Sequence, residues 1–209
     1  MPKSQAFQQY SQKYDSWFLQ NKLTYASEVQ AVKDFIPEGL KGVEIGVGTG
    51  RFALPLGISV GVEPADSMAR IARSKGIEVI KGTAERLPLL DDTVDYALMV
   101  TAICFFDDVG KAFREAHRVL RSNGFLVVAM IDRESKLGQL YQTHKQDDEF
   151  YRNATFYSVP EVEAFLTQAG FSGFSHRQTV SSTENISHAV KEGYGEGGFV
   201  VIKAMKHDV

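Results

Sequence analysis

Between Gly42 and Ile131 five short runs rich in β-branched and aliphatic residues punctuate the chain: "GVEIGV", "ISVGVE", "IEVIKG", "VDYALMV" and "GFLVVAMI". Stretches of helix or turn character separate them, and that alternation predicts parallel strands joined by crossover helices. Ahead of them, from about Ser4 to Ile36, aromatic and aliphatic residues recur at roughly helical spacing: Phe7, Tyr10, Tyr14, Trp17 and Phe18, then Val29, Val32, Phe35 and Ile36. They predict a helical segment that "IPEGLKG" ends.

The connecting helices carry their own end signals. Asp66 is placed to N-cap "SMARIARSKG" and Gly76 to stop it. "VGKAFREAHRVLRSNG" puts Ala112, Phe113, Ala116, Val119 and Leu120 on one face, with His117 at the helix surface or boundary. Beyond Ile131 the regularity breaks. "DRESKLGQLYQTHKQDDEFYRNATFYS" is polar with interspersed aromatics and too long for a tight connection, which predicts a lid or substrate-contacting insertion. "SVPEVEAFLTQAGF" restores a helix, with Ser158 as N-cap, Pro160 in its first turn and Gly170 at its end. "FSGFSHRQTV" and "GGFVVIKAMK" predict a terminal antiparallel pair, joined by "SSTENISHAVKEGYGEG" as a mobile loop.

These signals divide a single domain of 209 residues into a helical cap (1–40), a core (41–131), a lid (132–158) and a C-terminal helix with hairpin (159–209). At 44% apolar and 23% charged residues the chain is not mainly disordered. A formal charge of −3 gives no sign of a generally basic surface, so no nucleic-acid partner is expected. No apolar run suits a secretory signal or a membrane span, and the expected location is the cytoplasm, away from membranes. Cys104 is the only cysteine. An internal disulfide and a cysteine-rich zinc site are thereby excluded, and no metal is expected.

The candidate chemistry starts at "GVEIGVGTGRFALPLGISVGVEPADSM", residues 42–68. Glycines after a first strand let the backbone approach a ligand where a Cβ would collide. The dinucleotide fingerprint G-x-G-x-x-G would need a glycine at position 51, where Arg51 stands, and this disfavours a nicotinamide-dependent oxidoreductase. The spacing is E-x-G-x-G-x-G, from Glu44 through Gly46 and Gly48 to Gly50. That pattern resembles the first motif of the class I S-adenosylmethionine-dependent methyltransferases. "GVEPADSM", "GTAERLPLLDDTVDYALMV" and "AFREAHRVLRSNGFLVVAMI" follow in the family's order, so the resemblance covers residues 42–131. It implies an α/β, Rossmann-like sheet of seven strands, six parallel and the last antiparallel, flanked by helices, with ligands at the carboxyl ends of the central strands.

The resemblance also implies roles. Glu63, with Pro64 beside it at the end of the second strand, would accept hydrogen bonds from both ribose hydroxyls of S-adenosylmethionine. Met68 would cover one face of adenine, with Leu87 either covering the other or packing in the core. Glu44 would lie near the amino-acid portion. In "GTAE" the sequence has Thr83 where the family often has Asp; the Thr83 hydroxyl and the Ala84 amide, next to Glu85, remain as adenine contacts. Thr101, Ala102 and Phe105 would border the methyl-bearing sulfur. "TAICFF" contains neither the D-P-P-Y nor the Pro-Cys signature of nucleic-acid methylation, and Cys104 reads as a packed small hydrophobe.

The expected activity is methyl transfer to a small-molecule acceptor, leaving S-adenosylhomocysteine. A sulfonium methyl group is already activated, so alignment and exclusion of water are the protein's main tasks. Tyr14, Trp17, Phe105, Tyr141 and Tyr157 are the acceptor-side candidates. Tyr14, Tyr141, His144 and Tyr157 are the side chains available as a general base, and none is assigned that role. The alternative is a module that binds the cofactor without turnover.

Overall fold

A computed structural model describes residues 5–207. Its elements, in chain order, are α1 (Gln5–Gln20), α2 (Lys22–Lys33), β1 (Gly42–Ile45), β2 (Val60–Glu63), α3 (Asp66–Ser74), β3 (Glu78–Lys81) and β4 (Val94–Val100). There follow α4 (Val109–Val119), β5 (Leu120–Ile131), α5 (Lys136–His144), α6 (Val159–Gln168), β6 (Phe171–Thr179), β7 (Lys191–Glu192) and β8 (Phe199–Lys206). The strands form one sheet in the order β3-β2-β1-β4-β5-β8-β6-β7.

The first five strands are parallel to their neighbours, and β8 runs antiparallel between β5 and β6, so β6 points the same way as the first five. This is the expected arrangement of six strands and one reversed, with an eighth strand added. The addition is β7, two residues pairing antiparallel at the β6 edge. A segment that short leaves no periodicity in the sequence to find it by.

Both faces of the sheet are covered, and the central strands alternate between two cores. On one side Ala97, Met99, Leu126 and Val128 meet Phe113, Ala116, Val162 and Leu166 of α4 and α6. On the other, Leu98, Val100, Val127 and Ala129 meet Phe18, Ala31, Val32, Ala69 and Ala72 of the first three helices. Strands buried on both faces read as near-continuous apolar runs, and that is why "VDYALMV" and "GFLVVAMI" were legible.

Five local expectations need correction. Leu120, expected on the face of the helix over 109–124, is instead the first residue of β5 and pairs with Val94. The N-terminal segment is two helices, parted at Asn21, whose backbone leaves the helical region and whose amide side chain donates to the Trp17 carbonyl; Ser4, its expected start, lies outside the described residues. The N-cap of α3 is Ala65, and Asp66 is instead in the first turn, paired with Lys81. The segment after Ile131 is only partly irregular, because it holds α5, which Ser135 caps by accepting the Gly138 N–H. The loop before β8 is fastened to the cap: Asn185 accepts the Leu23 and Thr24 N–H groups at the open end of α2, and the His188 N–H donates to Ser27. The break at Asn21 leaves those N–H groups without partners in the helix, and a distant side chain supplies them. Ser158 does cap α6, with Glu161 completing a capping box. No helix among the described residues is long and apolar enough to cross a membrane.

Candidate active site

The carboxyl ends of β1, β2 and β4 open on a cavity of about 780 Å³, counting the space at its mouth. The glycine loop forms one wall. Gly46, Gly48 and Gly50 all have positive φ, at +76°, +53° and +78°, where a side chain is strained. Their surroundings differ. A Cβ on Gly50 would lie 2.3 Å from Cδ1 of Ile77 and against Ala72 of α3, so this glycine lets the helix approach. Gly46 and Gly48 line the cavity, and a Cβ on Gly48 would enter it, meeting only Met68 at 3.4 Å and Tyr14 at 3.9 Å.

Glu63 ends β2 in the same wall and is 7% exposed. One of its oxygens accepts the Gly48 N–H at 2.9 Å and the other the Ala65 N–H at 2.8 Å. Burial raises its carboxyl above the ordinary carboxylate range, against the pull of those two N–H groups. A carboxylate offers about four acceptor positions, so two remain free for a vicinal diol. Pro64 and Met68 continue this wall, and Thr83, Ala84 and Glu85 form the facing one. Glu85 also accepts the Asp107 N–H at 2.8 Å, which ties the turn after β4 to the cavity rim.

Thr101, at the end of β4, has φ +46°. A β-branched residue there is an outlier of the kind that collects at functional sites. Its N–H donates to the Ala129 carbonyl, and its side chain meets the phenol of Tyr14. Ala102 and Phe105 follow it in the wall. Phe7 and Tyr14 of α1 and Tyr151 from beyond α5 close the cavity from the cap side, with Phe105 edge-on to Phe7 at 4.7 Å and stacked on Tyr151 at 5.8 Å. A smaller cavity of about 280 Å³ lies behind, walled by Cys104, Phe156 and Tyr157 among others; Thr101 and Tyr151 belong to both.

Other expected site residues fall outside the main cavity. Leu87 is in the core, its N–H donated to Glu115, and of its two expected roles the packing one matches this placement. Glu44 is 2% exposed and lies behind the loop, where Ala53 donates to it and its Oε2 has no hydrogen-bond partner. Burial holds its carboxyl well above the usual range. Trp17 is exposed and edge-on to Phe18, turned away because its helix commits Tyr14 and Phe18 to the inside. Tyr141 packs edge-on against Tyr151 at 4.9 Å, Tyr157 lines only the smaller cavity, and the exposed His144 bonds its own helix at Leu140. Phe7 and Tyr151 line the main cavity without having been singled out for it. Each reads in sequence as one more aromatic in a variable segment, and only docking onto β4 distinguishes them.

Among the described residues no group of three or more His, Cys, Asp or Glu could hold a metal ion. A buried acid with free acceptor positions, a backbone wall that a Cβ would fill and a thioether over apolar space fit an adenosine-bearing ligand. Residues 43–128 match a family described as "Methyltransferase domain". The chain is 44% identical to "Uncharacterized protein MJ1123" of Methanocaldococcus jannaschii, over 96% of this chain and 98% of that one. A crystal structure from Thermotoga maritima, described as a SAM-dependent methyltransferase and possible histamine N-methyltransferase, is 50% identical, with TM-score 0.94 over 97% of this chain and 99% of that one. A Haloferax volcanii putative methyltransferase, at 16% identity and TM-score 0.72 over 97% of this chain and 98% of that one, shares the fold. The near-complete match at 50% identity shows that the chain belongs to the S-adenosylmethionine-dependent methyltransferases.

Proposed function

We propose that the enzyme methylates a small-molecule acceptor, chiefly by positioning it against the cofactor. The observation that carries this reading is the closure of the cavity by Phe7, Tyr14 and Tyr151, which leaves a confined, aromatic-walled space beside Thr101 and Phe105. Such a space suits a small, partly apolar molecule better than a protein or a duplex. The name of the 50% identical Thermotoga structure, with its possible histamine N-methyltransferase activity, supports a small acceptor as well.

In this reading Glu63 holds the ribose, Met68 covers adenine, and Thr83 and Ala84 meet the adenine edge, with Glu44 near the amino-acid end. Gly46 and Gly48 give the backbone its close approach. When bound, S-adenosylmethionine supplies a methyl group already activated by the sulfonium charge. The chain then has to hold the acceptor in line and keep water away, tasks suited to the aromatic wall and to Thr101 with its fixed backbone. The segment 132–158 serves as the lid, contributing Tyr151, and residues 1–40 as the cap. Incubation with methyl-labelled S-adenosylmethionine and a library of small amines, alcohols and acids tests the reading. Label transferred to protein or nucleic acid in preference to every small molecule would overturn it.

A further inference from the structure

In the reading above the acceptor lies beside Thr101, walled by Phe7, Tyr14, Phe105, Phe106 and Tyr151. Among the described residues that line either cavity there is no Lys, Arg or His, and the only acids are Glu63 and Glu85. Both acids are engaged on the cofactor walls: Glu63 accepts the Gly48 and Ala65 N–H groups, and Glu85 accepts the Asp107 N–H. Cations on the adjoining elements are committed elsewhere, Lys13 to Glu149, and Arg51 and Lys75 to Asp15. The buried acids Glu28 and Glu44 line neither cavity.

The polar side chains left on the acceptor side carry hydroxyls, those of Tyr14, Thr101 and Tyr151. Burial pushes the Tyr14 and Tyr151 phenols well above the ordinary phenol range, and the Tyr157 phenol of the smaller cavity moves the same way. All three stay protonated, so none can take a proton from an acceptor. An anionic acceptor would be buried there without a countercharge, a cost that an apolar wall does not offset. Aromatic rings attract a cation and give an anion nothing comparable. An alcohol, a phenol or an ammonium ion becomes a strong nucleophile only by losing a proton, and no group on this side accepts one. A neutral ring nitrogen or a thioether sulfur has a lone pair that needs no such step.

We propose that the acceptor is a neutral molecule methylated on a nitrogen or sulfur lone pair that bears no hydrogen, and that the product is an onium ion. The proposal rests on the small-molecule reading above. The acceptor's lone pair forms the bond to the methyl carbon, and the C–S bonding pair returns to sulfur. The positive charge passes from sulfur to the methylated atom, and no proton moves. Because that charge is neither created nor cancelled, the wall needs no acid, base or counter-ion on the acceptor side. Phe7, Phe105 and Tyr151, packed on one another at 4.7 and 5.8 Å, suit a neutral reactant and a cationic product alike.

The test gives the full chain methyl-labelled S-adenosylmethionine with quinoline, thioanisole, 2-naphthol, 2-phenylethylamine or 2-naphthoate at neutral pH, and measures calorimetric binding of the same five to the chain saturated with S-adenosylhomocysteine. Label should enter quinoline or thioanisole about ten times or more faster than the other three, and the faster of the two tells nitrogen from sulfur. Quinoline should bind about ten times or more tighter than 2-naphthoate. Phe105→Lys puts a cation into the wall and should reverse that order, with retained S-adenosylhomocysteine binding showing that the variant folds. Faster transfer to 2-naphthol or 2-phenylethylamine, 2-naphthoate binding as tight as quinoline, or neither binding nor transfer with both neutral probes overturns the proposal and leaves the small-molecule reading standing. Label passing only to protein or nucleic acid, while quinoline still outbinds 2-naphthoate, overturns the small-molecule reading instead.

Discussion

Asp15 of α1 takes both Nε and Nη2 of Arg51, at 2.8 and 2.5 Å, so the residue that breaks the dinucleotide fingerprint is the one that fastens the cap to the glycine loop. Lys75, at the end of α3, joins from the other side, bonding Asp15 at 2.7 Å and the Thr49 carbonyl at 2.9 Å. Tyr25 adds a hydrogen bond to the Arg51 carbonyl. The cap that carries Phe7 and Tyr14 is held in register with the glycine loop through the Asp15 carboxylate and the Tyr25 hydroxyl.

Asp15→Asn should therefore cost roughly 2 kcal/mol, because it leaves two largely buried cations without their charge partner. Burial works to raise the Asp15 carboxyl, but Arg51 and Lys75 outweigh it and hold it at about 2. A carboxyl lowered in the folded state adds stability above its unfolded value near 4 and loses it as pH falls toward 2. Urea unfolding at pH 7, 4 and 2.5 checks this: the gap between parent and variant should be full at pH 7 and shrink across the lower two. A constant gap would assign the effect to packing.

Loss of a charged acceptor typically costs about 1.5–3 kcal/mol, so Glu63→Ala should weaken S-adenosylhomocysteine about ten- to a hundredfold in titration calorimetry. Affinity should also fall on acidification, starting above the ordinary carboxylate range, since protonation removes acceptor capacity from a carboxyl that burial has raised. Unchanged affinity in Glu63→Ala removes the ribose role.

Two glycine variants should fail in different ways. Gly48→Val puts its side chain into the cavity and should abolish cofactor binding in a folded protein, apart from a backbone cost of about 1–2 kcal/mol at positive φ. Gly50→Ala meets Ile77 at 2.3 Å and should lower stability by about 1–3 kcal/mol while leaving the cavity its space. Thermal unfolding measured with and without S-adenosylhomocysteine separates the two. A ligand-induced rise in Tm for Gly48→Val would contradict the assignment.

Replacing Tyr14, Tyr141, His144 or Tyr157 singly should lower kcat by less than the roughly 10²–10⁴-fold typical of a lost general base. Single-turnover rates with saturating cofactor give the answer, and a thousandfold loss at any one of them would show a base among the four.

Limited proteolysis within 132–158 should slow when S-adenosylhomocysteine and an acceptor analogue are both present. Cleavage at the same rate with and without them counts against a closing lid.

Much of the fold was legible because its signals are local. Strands buried on both faces announce themselves as apolar runs, as in β4 and β5, and the Ser158–Glu161 capping box lies within four consecutive residues. The glycine spacing and the acid at the end of β2 were equally visible, since the backbone there has to take positive φ beside the next strand. What stayed hidden depends on residues far apart in the chain. Asp15 and Arg51 meet across 36 positions, and Asn185 serves α2 across more than 160. The amino-acid sequence by itself determined which segments form the sheet and where its backbone opens toward a ligand. Only the tertiary structure decided which aromatic residues wall the cavity and which are turned away from it, because those properties belong to the packing of α1, α2 and the segment after β5 over the strand ends.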